Sequence, residues 1–376
     1  MIPFNIPFVP ESSKRYCLDA LESNHQQGDG PFTNRASAHL SSLVGGGHIL
    51  LTPSCTHALE MASMLGNFAP GDEVIVPSYT FTSAATAIAQ FGAIPVFVDI
   101  DPITKCIDVN KVEDAISDRT VAISWVNYAG SVPDIEALQQ IASKRNLLLI
   151  EDNAHGLGGS YKGKPLGSFG DFATQSFHAT KNIQCGEGGA LVINNHRFID
   201  RAEVIREKGT NRVSFSRGEI NKYQWIDKGS SGLLAESLAG ILLGQLESFD
   251  EIQTNRLSTW DIYKSILGER LPDRRWSTNT IQDLVSPSAH MFWIQSESVP
   301  ELKELKKNLE SFGIRANTHY LPLHLSPAGA NLGRSEGTLN VTIDFSATMI
   351  RLPLWYGIPE ESVREICSHV LSFIRT

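Results

Sequence analysis

The chain has 376 residues, of which 41% are hydrophobic and 19% are charged, and its 32 basic and 41 acidic side chains leave a formal net charge of −9. This composition predicts a globular protein with a sizeable core and excludes a disordered chain, and the length favours two domains. The negative charge is spread along the chain, which argues against nucleic acid or an anionic membrane as the main partner.

The five cysteines are widely spaced and include no Cys-x-x-Cys pair. Neither a disulfide framework nor a cysteine zinc site is therefore predicted. The first residues lack the basic start and long apolar stretch of a signal peptide. No run of the sequence approaches the roughly 18 apolar residues that span a bilayer. We therefore expect a cytoplasmic protein that does not enter the membrane.

Short apolar runs alternate with segments of helical period through the first half of the chain, where helices are predicted over residues 56–68 and 134–145. Strands that are uniformly apolar are buried on both faces, as in a mostly parallel sheet covered by helices. The sequence thus predicts a large α/β domain with a mostly parallel, seven-stranded sheet. The seven predicted strands are His48–Thr52, Glu73–Pro77, Pro95–Asp99, Thr120–Val126, Leu147–Glu151, Phe172–Phe177 and Ala190–Asn194.

The pattern changes after Gly229. Residues 235–262 are compatible with one long helix, and residues 270–287 are polar and loop-like. The remaining predicted elements are strands at Met291–Gln295 and Ile314–Tyr320 and helices at 302–312 and 361–374. This mixture predicts a smaller α+β domain at the carboxyl end, so that residues 1–250 form the large domain and residues 251–376 the small one.

Several common motifs are missing or incomplete. Residues 158–164 have the spacing of a P-loop, but Pro165 stands where a hydroxyl is required for magnesium, so a glycine-rich hairpin is the better interpretation. No Gly-x-Gly-x-x-Gly follows a strand, and neither Gly-x-Ser-x-Gly nor His-Glu-x-x-His is present. The histidines show no ligand spacing, so we predict no metal site and interpret His319 and His324 as hydrogen-bonding residues.

Two polar residues stand at the ends of apolar runs. Asp152 follows a buried strand, at the edge where open α/β sheets bind ligands, although an aspartate there could simply cap the next turn. Lys181 follows another β-type run and precedes the glycine-rich turn 186–189. Partial desolvation would lower the pKa of this lysine and free its amine for Schiff-base chemistry. An exposed structural lysine is the alternative.

Two further segments add a helix start and an aromatic pair. Residues 53–56, which include Cys55 and Thr56, lie between a strand and a helix, and could bind a phosphate or form an ordinary N-cap. Tyr79 and Phe81 follow a strand end and could stack on a flat ring or pack in the core. Together with Lys181 and Asp152, these are the parts that a pyridoxal phosphate site needs.

The sequence resembles the sugar-nucleotide aminotransferases of the DegT/DnrJ/EryC type over essentially its whole length. The most specific stretch is Ser-Phe-His-Ala-Thr-Lys-Asn at 176–182, followed by Gly-Glu-Gly-Gly. Residues 51–56, 77–81, 206–212 and 319–324 resemble a subgroup that acts on a dTDP-linked 4-keto-6-deoxy sugar. The resemblance implies the aspartate aminotransferase-like, type I fold, a pyridoxal 5′-phosphate cofactor, L-glutamate as amino donor, and a homodimer with shared active sites.

Carried over by position, the resemblance makes Lys181 the Schiff-base lysine and Asp152 the partner of the pyridine nitrogen. The other implied cofactor contacts are His155 at the ring hydroxyl, Cys55, Thr56 and Ser176 at the phosphate, Phe81 on the ring, and Ser231 at the neighbouring subunit's phosphate. The implied substrate contacts are Asp29, Arg212, His319 and Tyr320, with a surface salt bridge as the alternative for Arg212. Ser231, Gly232-Leu233 and Asn153 depart from patterns common in the family or subgroup.

Other functions remain open from the sequence. The same fold could form the gluco epimer of the 4-amino sugar or place the amine on carbon 3, because the pose of the sugar decides both outcomes. A pyridoxal-phosphate-binding dehydratase or a non-catalytic regulator belongs to a different class. Lys181 argues against the dehydratase, which usually has histidine at this position, and the chain has no residues to spare for a DNA-binding module.

Overall fold

An eight-stranded sheet forms the centre of the structure, a computed structural model that describes residues 1–268, 270–271 and 276–374. The strands of this sheet and of two smaller sheets, in chain order, are β1 (His48–Thr52), β2 (Glu73–Pro77), β3 (Ile94–Val98), β4 (Thr120–Val126), β5 (Leu148–Asp152), β6 (Ser160–Tyr161), β7 (Lys164–Pro165), β8 (Phe172–Ser176), β9 (Gly189–Ile193), β10 (Trp276–Thr278), β11 (Val285–Ser286), β12 (Phe292–Ser296), β13 (Arg334–Ser335) and β14 (Met349–Leu352).

Helices cover both faces of the eight-stranded sheet, and other helices pack on the sheet β10-β12-β14 of the carboxyl-terminal part. In chain order they are α1 (Glu11–Glu22), α2 (Pro31–Leu43), α3 (Cys55–Leu65), α4 (Thr82–Ala89), α5 (Val109–Ala115), α6 (Ile135–Arg145), α7 (Ile199–Arg206), α8 (Arg212–Ser216), α9 (Glu236–Glu247), α10 (Phe249–Tyr263), α11 (Val299–Ser311), α12 (Pro327–Leu332), α13 (Asn340–Thr348) and α14 (Glu360–Ile374). In the part of the chain that is described, no helix has both the length and the apolar character needed to cross a membrane.

The central sheet has the order β1-β9-β8-β5-β4-β2-β3-β13. Its strands are parallel except for β9, which runs antiparallel to both of its neighbours. All seven predicted strands lie in this sheet within one residue of their predicted bounds, so the predicted mostly parallel α/β architecture is confirmed. The number of strands was underestimated, because β13 from the carboxyl-terminal part adds an eighth strand next to β3.

An ion-pair cluster fastens β13 to the sheet, and this is why hydrophobic periodicity did not reveal the strand. Arg334 donates from Nε and Nη2 to the two carboxylate oxygens of the buried Glu73, at 3.0 and 2.8 Å. Ser117 Oγ donates to the same carboxylate at 2.7 Å, and Arg119 forms a further short contact with it. The Arg334 hydrogen bonds, followed by those from Ser117 and the nearby positive charges, lower the pKa of Glu73 to about 2.

This cluster predicts an acid-sensitive contribution to stability. A carboxylate whose pKa is lowered from 4.5 to about 2 stabilises the fold above pH 4.5 and loses that contribution as the pH falls through 2. Between pH 6 and pH 3.5, the free energy of unfolding should fall by about 1 kcal/mol more in the wild type than in Glu73→Gln, out of a total of about 3 kcal/mol. Urea unfolding at the two pH values measures this difference. Equal losses in the two proteins would show that Glu73 is not the group responsible.

The carboxyl-terminal half differs more from its prediction. The single helix predicted over residues 235–262 is wrong, because α9 ends and α10 begins around Ser248. The stretch predicted as a loop, 270–287, contains β10, which pairs with β12, and β11, which pairs with β6, while residues 272–275 lie outside the described residues. The helices predicted at 302–312 and 361–374 are α11 and α14.

The strand predicted at Ile314–Tyr320 is wrong. Only Ile314, opposite Ile2, and Asn317, opposite Arg351, form isolated bridges there. Ile314 and Ala316 are buried, so alternate side chains do enter the core as in a strand, but no neighbouring strand runs along the whole segment. The glycine-rich hairpin predicted at 158–164 is confirmed, since β6 and β7 pair antiparallel.

The first residues join distant parts of the molecule, and we call residues 2–8 the N-terminal strap. Ile2 N–H donates to Gly313 O at 2.8 Å and Ile2 O accepts from Arg315 N–H at 2.9 Å. These bonds lie beside the three-stranded sheet β10-β12-β14, which we call the small sheet. Asn5 Nδ2 then donates to Ala179 O at 3.3 Å, and Phe8 O accepts from Gln184 Nε2 at 2.9 Å. The strap therefore runs from the small sheet to the turn that follows β8.

Candidate active site

A cavity of about 610 Å³ lies where the carboxyl ends of β5 and β8 face the small sheet. Nine of the residues predicted from the sequence to form the site line it. They are Cys55, Thr56, Phe81, Asp152, His155, Ser176, Lys181, His319 and Tyr320. Because these residues come from well-separated segments, the structure supplies the proximity that a sequence pattern can only suggest.

Lys181 and Asp152 form the charged centre of the cavity. Asp152 ends β5, and its Oδ1 accepts from Ala154 N–H at 3.1 Å. Lys181 lies in the turn after β8, where its N–H donates to His178 O at 2.9 Å. Burial lowers the pKa of Lys181, and the Cys55 and Asp152 side chains oppose this shift. Burial raises the pKa of Asp152, opposed by the Ala154 N–H and by the charge of Lys181. The site therefore favours a neutral amine more than water does.

The neighbouring carboxylate, Glu151, has a different environment. Its Oε1 accepts from Asn127 Nδ2 and Gly167 N–H, both at 2.7 Å, and its Oε2 accepts from Phe169 N–H at 2.9 Å. Asn127 Nδ2 also donates to Asn153 Oδ1 at 2.8 Å, so the unusual Asn153 belongs to this buried network. Side chains of adjacent strand residues point to opposite faces. The alternation of β5 thus separates a structural carboxylate from the one that lines the cavity.

The start of α3 provides a site for an anion. Ser54 Oγ accepts from His57 N–H at 3.1 Å, and the N–H groups of the first helical residues, Cys55 and Thr56, have no partner within the helix. Thr56 Oγ1 lies 2.6 Å from Ser83 Oγ. A Cβ at Gly189 would come within 2.4 Å of Cys55 N, so only glycine lets β9 pass this close to the helix start. Such a helix start suits a phosphate group.

Three histidines stand around the centre. His155 Nδ1 is buried without a hydrogen-bond partner among the described residues, and its Nε2 lies 3.4 Å from Tyr320 Oη. His290 stacks on His155 with ring centroids 4.5 Å apart, and His319 Nε2 lies 2.8 Å from Tyr128 Oη. Burial lowers the pKa of all three imidazoles well below the usual 6.5, so they are neutral at physiological pH.

This set of residues fits pyridoxal phosphate. The start of α3 and Ser176 match the phosphate, and the cavity carboxylate of Asp152 matches a pyridine nitrogen. The orphaned Nδ1 of His155 matches a ring hydroxyl, and Phe81, which is 56% exposed at the start of α4, leaves a free aromatic face for the ring. The amine of Lys181, which lines the same cavity, matches the aldehyde group.

Three predicted residues lie outside this chain's cavity. Asp29 Oδ1 accepts from Arg206 Nη2 at 2.6 Å, and Arg212 pairs with Glu207 at 2.7 Å, which is the surface salt bridge considered as its alternative. Ser231 is exposed and forms a backbone bridge to Glu207. Their contacts are with Arg206 and Glu207 of the segment 206–231, and none of the three is among the residues that line the cavity.

The sequence interpretation missed several residues of the cavity wall. These are Phe4 and Asn5 of the N-terminal strap, His290, Asn317 and Arg351. All belong to the strap or to the region around the small sheet, far along the chain from Asp152 and Lys181. One local signal was present, since Arg351 interrupts an otherwise apolar strand between Ile350 and Leu352.

Residues 9–371 match the model of the DegT/DnrJ/EryC1/StrS aminotransferase family. A GDP-perosamine synthase of Vibrio cholerae is 28% identical, with 99% of each chain covered, and a pleiotropic regulatory protein of Geobacillus stearothermophilus is 31% identical, with 92% of this chain and 90% of the relative covered. The Streptococcus pneumoniae protein Spr1654, assigned as a sugar aminotransferase, has been solved in PMP and PLP forms. The PMP form is 28% identical, with 100% of this chain and 99% of that chain covered and a TM-score of 0.92; the PLP form has a TM-score of 0.90 and 98% of that chain covered.

Proposed function

Because the chain belongs to the DegT/DnrJ/EryC1/StrS aminotransferase family, we propose that it transfers the amino group of L-glutamate to carbon 4 of dTDP-4-keto-6-deoxy-D-glucose. The product is dTDP-4-amino-4,6-dideoxy-D-galactose. The broader assignment does not depend on this choice of substrate: the chain is a pyridoxal-phosphate-dependent sugar aminotransferase with a type I fold. The observation that carries the proposal is the Lys181 amine beside the Asp152 carboxylate in one cavity.

Each residue at the centre has a proposed task. Bound pyridoxal phosphate supplies a carbonyl carbon that takes up an amine and a ring that accepts electrons. Lys181 Nζ, whose pKa is lowered by burial, takes the proton from the α-carbon of the donor and returns it to the acceptor side. Asp152 holds the proton of the pyridine nitrogen. Because burial raises the pKa of Asp152, a paired cation is needed to keep its carboxylate ionised, and a pyridinium provides one.

The positions of the other side chains in the cavity support the remaining proposed cofactor contacts. Ser176 and the start of α3 at Cys55 and Thr56 hold the phosphate, Phe81 stacks on the ring, and His155 Nδ1 binds the ring hydroxyl. On the substrate side, His319 and Tyr320 face the sugar. We further propose that residues 1–250 bind the cofactor, that residues 251–376 close the cleft, and that the enzyme is cytoplasmic.

We also propose a homodimer in which Asp29, Arg212 and Ser231 serve the site of the neighbouring subunit. Their segment carries aromatic and aliphatic side chains that one chain leaves uncovered, namely Tyr223 at 51%, Trp225 at 79% and Ile226 at 56% exposure. Exposed apolar groups of this size in a group are typical of interfaces. Sedimentation of a fully active monomer would contradict this arrangement.

The test is the product itself. The purified protein loaded with pyridoxal phosphate is incubated with glutamate and dTDP-4-keto-6-deoxy-D-glucose, and the product is analysed by NMR. A galacto-configured amine at carbon 4 is expected, which would suit a surface-glycan pathway such as that of enterobacterial common antigen. A gluco amine or an amine at carbon 3 would reassign the product. The GDP-linked 4-keto sugar is tested in parallel, because three relatives are named GDP-perosamine synthase.

A regulator without enzymatic activity is the alternative of a different class, and one relative is named as a pleiotropic regulatory protein. The two functions differ in the first half of the reaction. An aminotransferase releases 2-oxoglutarate from glutamate in an amount equal to the enzyme, even without a sugar. Absence of this release from the cofactor-loaded protein, with either nucleotide sugar present or absent, would exclude the proposed function.

A further inference from the structure

His290 has a fixed position in the cavity wall. Its carbonyl oxygen accepts from Arg256 Nη2 at 2.7 Å, and the carbonyl oxygen of Ala289 accepts from Arg256 Nε at 3.2 Å. Arg256 itself lies in α10 and is buried. The imidazole ring of His290 stacks on that of His155, with the centroids 4.5 Å apart and an angle of 20° between the planes. Both the backbone and the ring are therefore held, and the ring lines the cavity.

The hydrogen bonds of Asn182 determine which nitrogen of His290 carries the proton. Asn182 Nδ2 donates to Ser288 O at 2.7 Å, and because a carbonyl oxygen can only accept, this end of the amide is its NH2 group. The amide oxygen, Asn182 Oδ1, then lies 3.0 Å from His290 Nδ1. This oxygen also can only accept, so Nδ1 is the donor and bears a proton.

The second nitrogen of the ring, His290 Nε2, has a free lone pair. Burial lowers the pKa of His290 well below 6.5, so the ring is neutral and carries a single proton, which Nδ1 holds. In the described part of the chain Nε2 forms no hydrogen bond, and unlike His155 Nδ1 it is not enclosed by protein atoms. Since Nδ1 is turned to Asn182, which does not line the cavity, the Nε2 edge of the ring is the one that faces it.

An unprotonated nitrogen in the cavity wall distinguishes the two proposed substrates. Apart from its reacting amine, glutamate presents carboxylate oxygens, which at neutral pH are only acceptors. A keto sugar presents hydroxyl groups, and each of them can donate. Because both substrates use the same cavity in turn, an acceptor nitrogen provides a partner for the sugar and none for the carboxylates of the amino acid.

The structure of the sugar limits which hydroxyl is within reach. After burial, the charge of Lys181 is the next cause of the lowered pKa of His290, so the two side chains are near each other. The carbonyl carbon has to approach the cofactor beside Lys181. In a 4-keto-6-deoxy sugar this carbon is bonded to carbon 3, which bears a hydroxyl, and to carbon 5, which bears the methyl group and the ring oxygen. The hydroxyl on carbon 3 is thus the one next to the reacting carbon.

We propose that His290 Nε2 accepts a hydrogen bond from the carbon-3 hydroxyl of the keto sugar, and that Asn182 is the positioning residue that keeps this nitrogen unprotonated. The inference rests on the proposed function and adds a specificity-determining residue for the acceptor substrate. It also narrows the substrate class. The keto sugar must retain the hydroxyl beside its carbonyl, because a 3-deoxy sugar leaves the imidazole nitrogen without a donor.

The tautomer is measured directly by ¹⁵N NMR of the cofactor-loaded protein with labelled histidine, because the shift of an imidazole nitrogen depends on whether it bears a proton. The signals of His290 are those that disappear in His290→Phe, which keeps an aromatic ring against His155. We expect a protonated Nδ1 and an unprotonated Nε2. In Asn182→Leu the Nδ1 proton loses its acceptor, so the form with Nε2–H should increase. Ser288 O retains its bond from Gln253 Nε2 at 2.9 Å in that variant.

Kinetics with two sugars measure the hydrogen bond itself. In the wild type, kcat/KM for dTDP-4-keto-6-deoxy-D-glucose should exceed that for its 3-deoxy analogue by roughly 10- to 100-fold. In His290→Phe this ratio should fall to within about threefold of unity, and in Asn182→Leu it should lie between the two. His39→Phe replaces an exposed histidine of α2 outside the cavity and should keep the wild-type ratio. The release of 2-oxoglutarate from glutamate in a single turnover should change by a few-fold at most in His290→Phe.

Binding without turnover separates this inference from the proposed function. dTDP-6-deoxy-D-glucose and its 3-deoxy analogue, which have no ketone, are titrated by calorimetry into the loaded wild type and His290→Phe, and thermal melting verifies that the variant is folded. The ratio of the two Kd values should follow the ratio of kcat/KM. The same ratio in both proteins, or a protonated Nε2 in the wild type, would overturn the assignment of His290. A wild type that has the expected tautomer and Kd ratio but releases no 2-oxoglutarate from glutamate would instead contradict the proposed function.

Discussion

Lys181→Ala is expected to abolish measurable transamination, with a fall in kcat of roughly 10²- to 10⁴-fold from the lost proton transfer alone. Burial lowers the pKa of the Lys181 amine, and the charge of Asp152 in the same cavity opposes this shift. Alanine leaves nothing in the proposed mechanism to move the proton at the α-carbon. The measurement is the release of 2-oxoglutarate in a single turnover of the cofactor-loaded enzyme, together with its visible spectrum.

A control and a rescue make this result specific. Lys162→Ala removes another lysine, which lies on the β6–β7 hairpin, is exposed and is paired with Glu136 of α6. This variant should leave kcat unchanged. Added ethylamine should restore part of the single-turnover rate to Lys181→Ala, because a small amine can enter the space that the lysine side chain leaves. If Lys181→Ala retained the wild-type rate, the central assignment of the site would be wrong.

Asp152→Asn and Glu151→Gln are expected to affect different properties although the two residues are adjacent: the first lowers activity and the second lowers stability. Asp152→Asn should lower kcat roughly 10²- to 10³-fold, because the amide cannot hold a proton on the pyridine nitrogen, and should leave the free energy of unfolding of the cofactor-free protein nearly unchanged. Glu151→Gln removes an acceptor from the buried backbone N–H groups of Gly167 and Phe169. It should lower that free energy by about 1–3 kcal/mol and leave kcat of the folded enzyme within a few-fold.

Urea unfolding and kinetics of both variants, measured side by side, test this separation. Each variant replaces one carboxylate with an amide of the same shape, so each is the control for the other. Comparable losses of kcat and equal losses of stability in the two variants would contradict the assignment of a catalytic role to Asp152 and a structural role to Glu151 on opposite faces of β5.

The central sheet was predictable from the sequence because its strands are buried on both faces. β2 is buried at every position, and its residues are almost all apolar, so its local composition and its environment agree. The elements that were missed or wrong depend on contacts that a local pattern does not contain. Two-residue β13 is held by Arg334 on Glu73, and residues 314–320 alternate in burial without a continuous neighbouring strand.

The residues of the candidate site were likewise predictable only where the local sequence pattern indicates their position. Asp152 and Lys181 follow strand ends, and this position alone made them candidates for one sheet edge. Arg351 and His290 could not be placed there from the sequence, because they reach the cavity through the packing of the small sheet against the central one. The family resemblance named Asp29, Arg212 and Ser231 as well, and the structure of a single chain places these away from its own cavity.

The N-terminal strap has a consequence for the order in which parts of this protein fold during synthesis. Ile2 pairs with Gly313 and Phe4 lies under Arg351, so both residues leave the ribosome long before these partners do. Ile2 and Phe4 must therefore wait without these partners until residues 313 and 351 have emerged, and closing such a long loop is slow relative to local contacts. A nascent chain halted before residue 313 would have its lysine and its helix start in place, but not the wall that the strap and the small sheet build together.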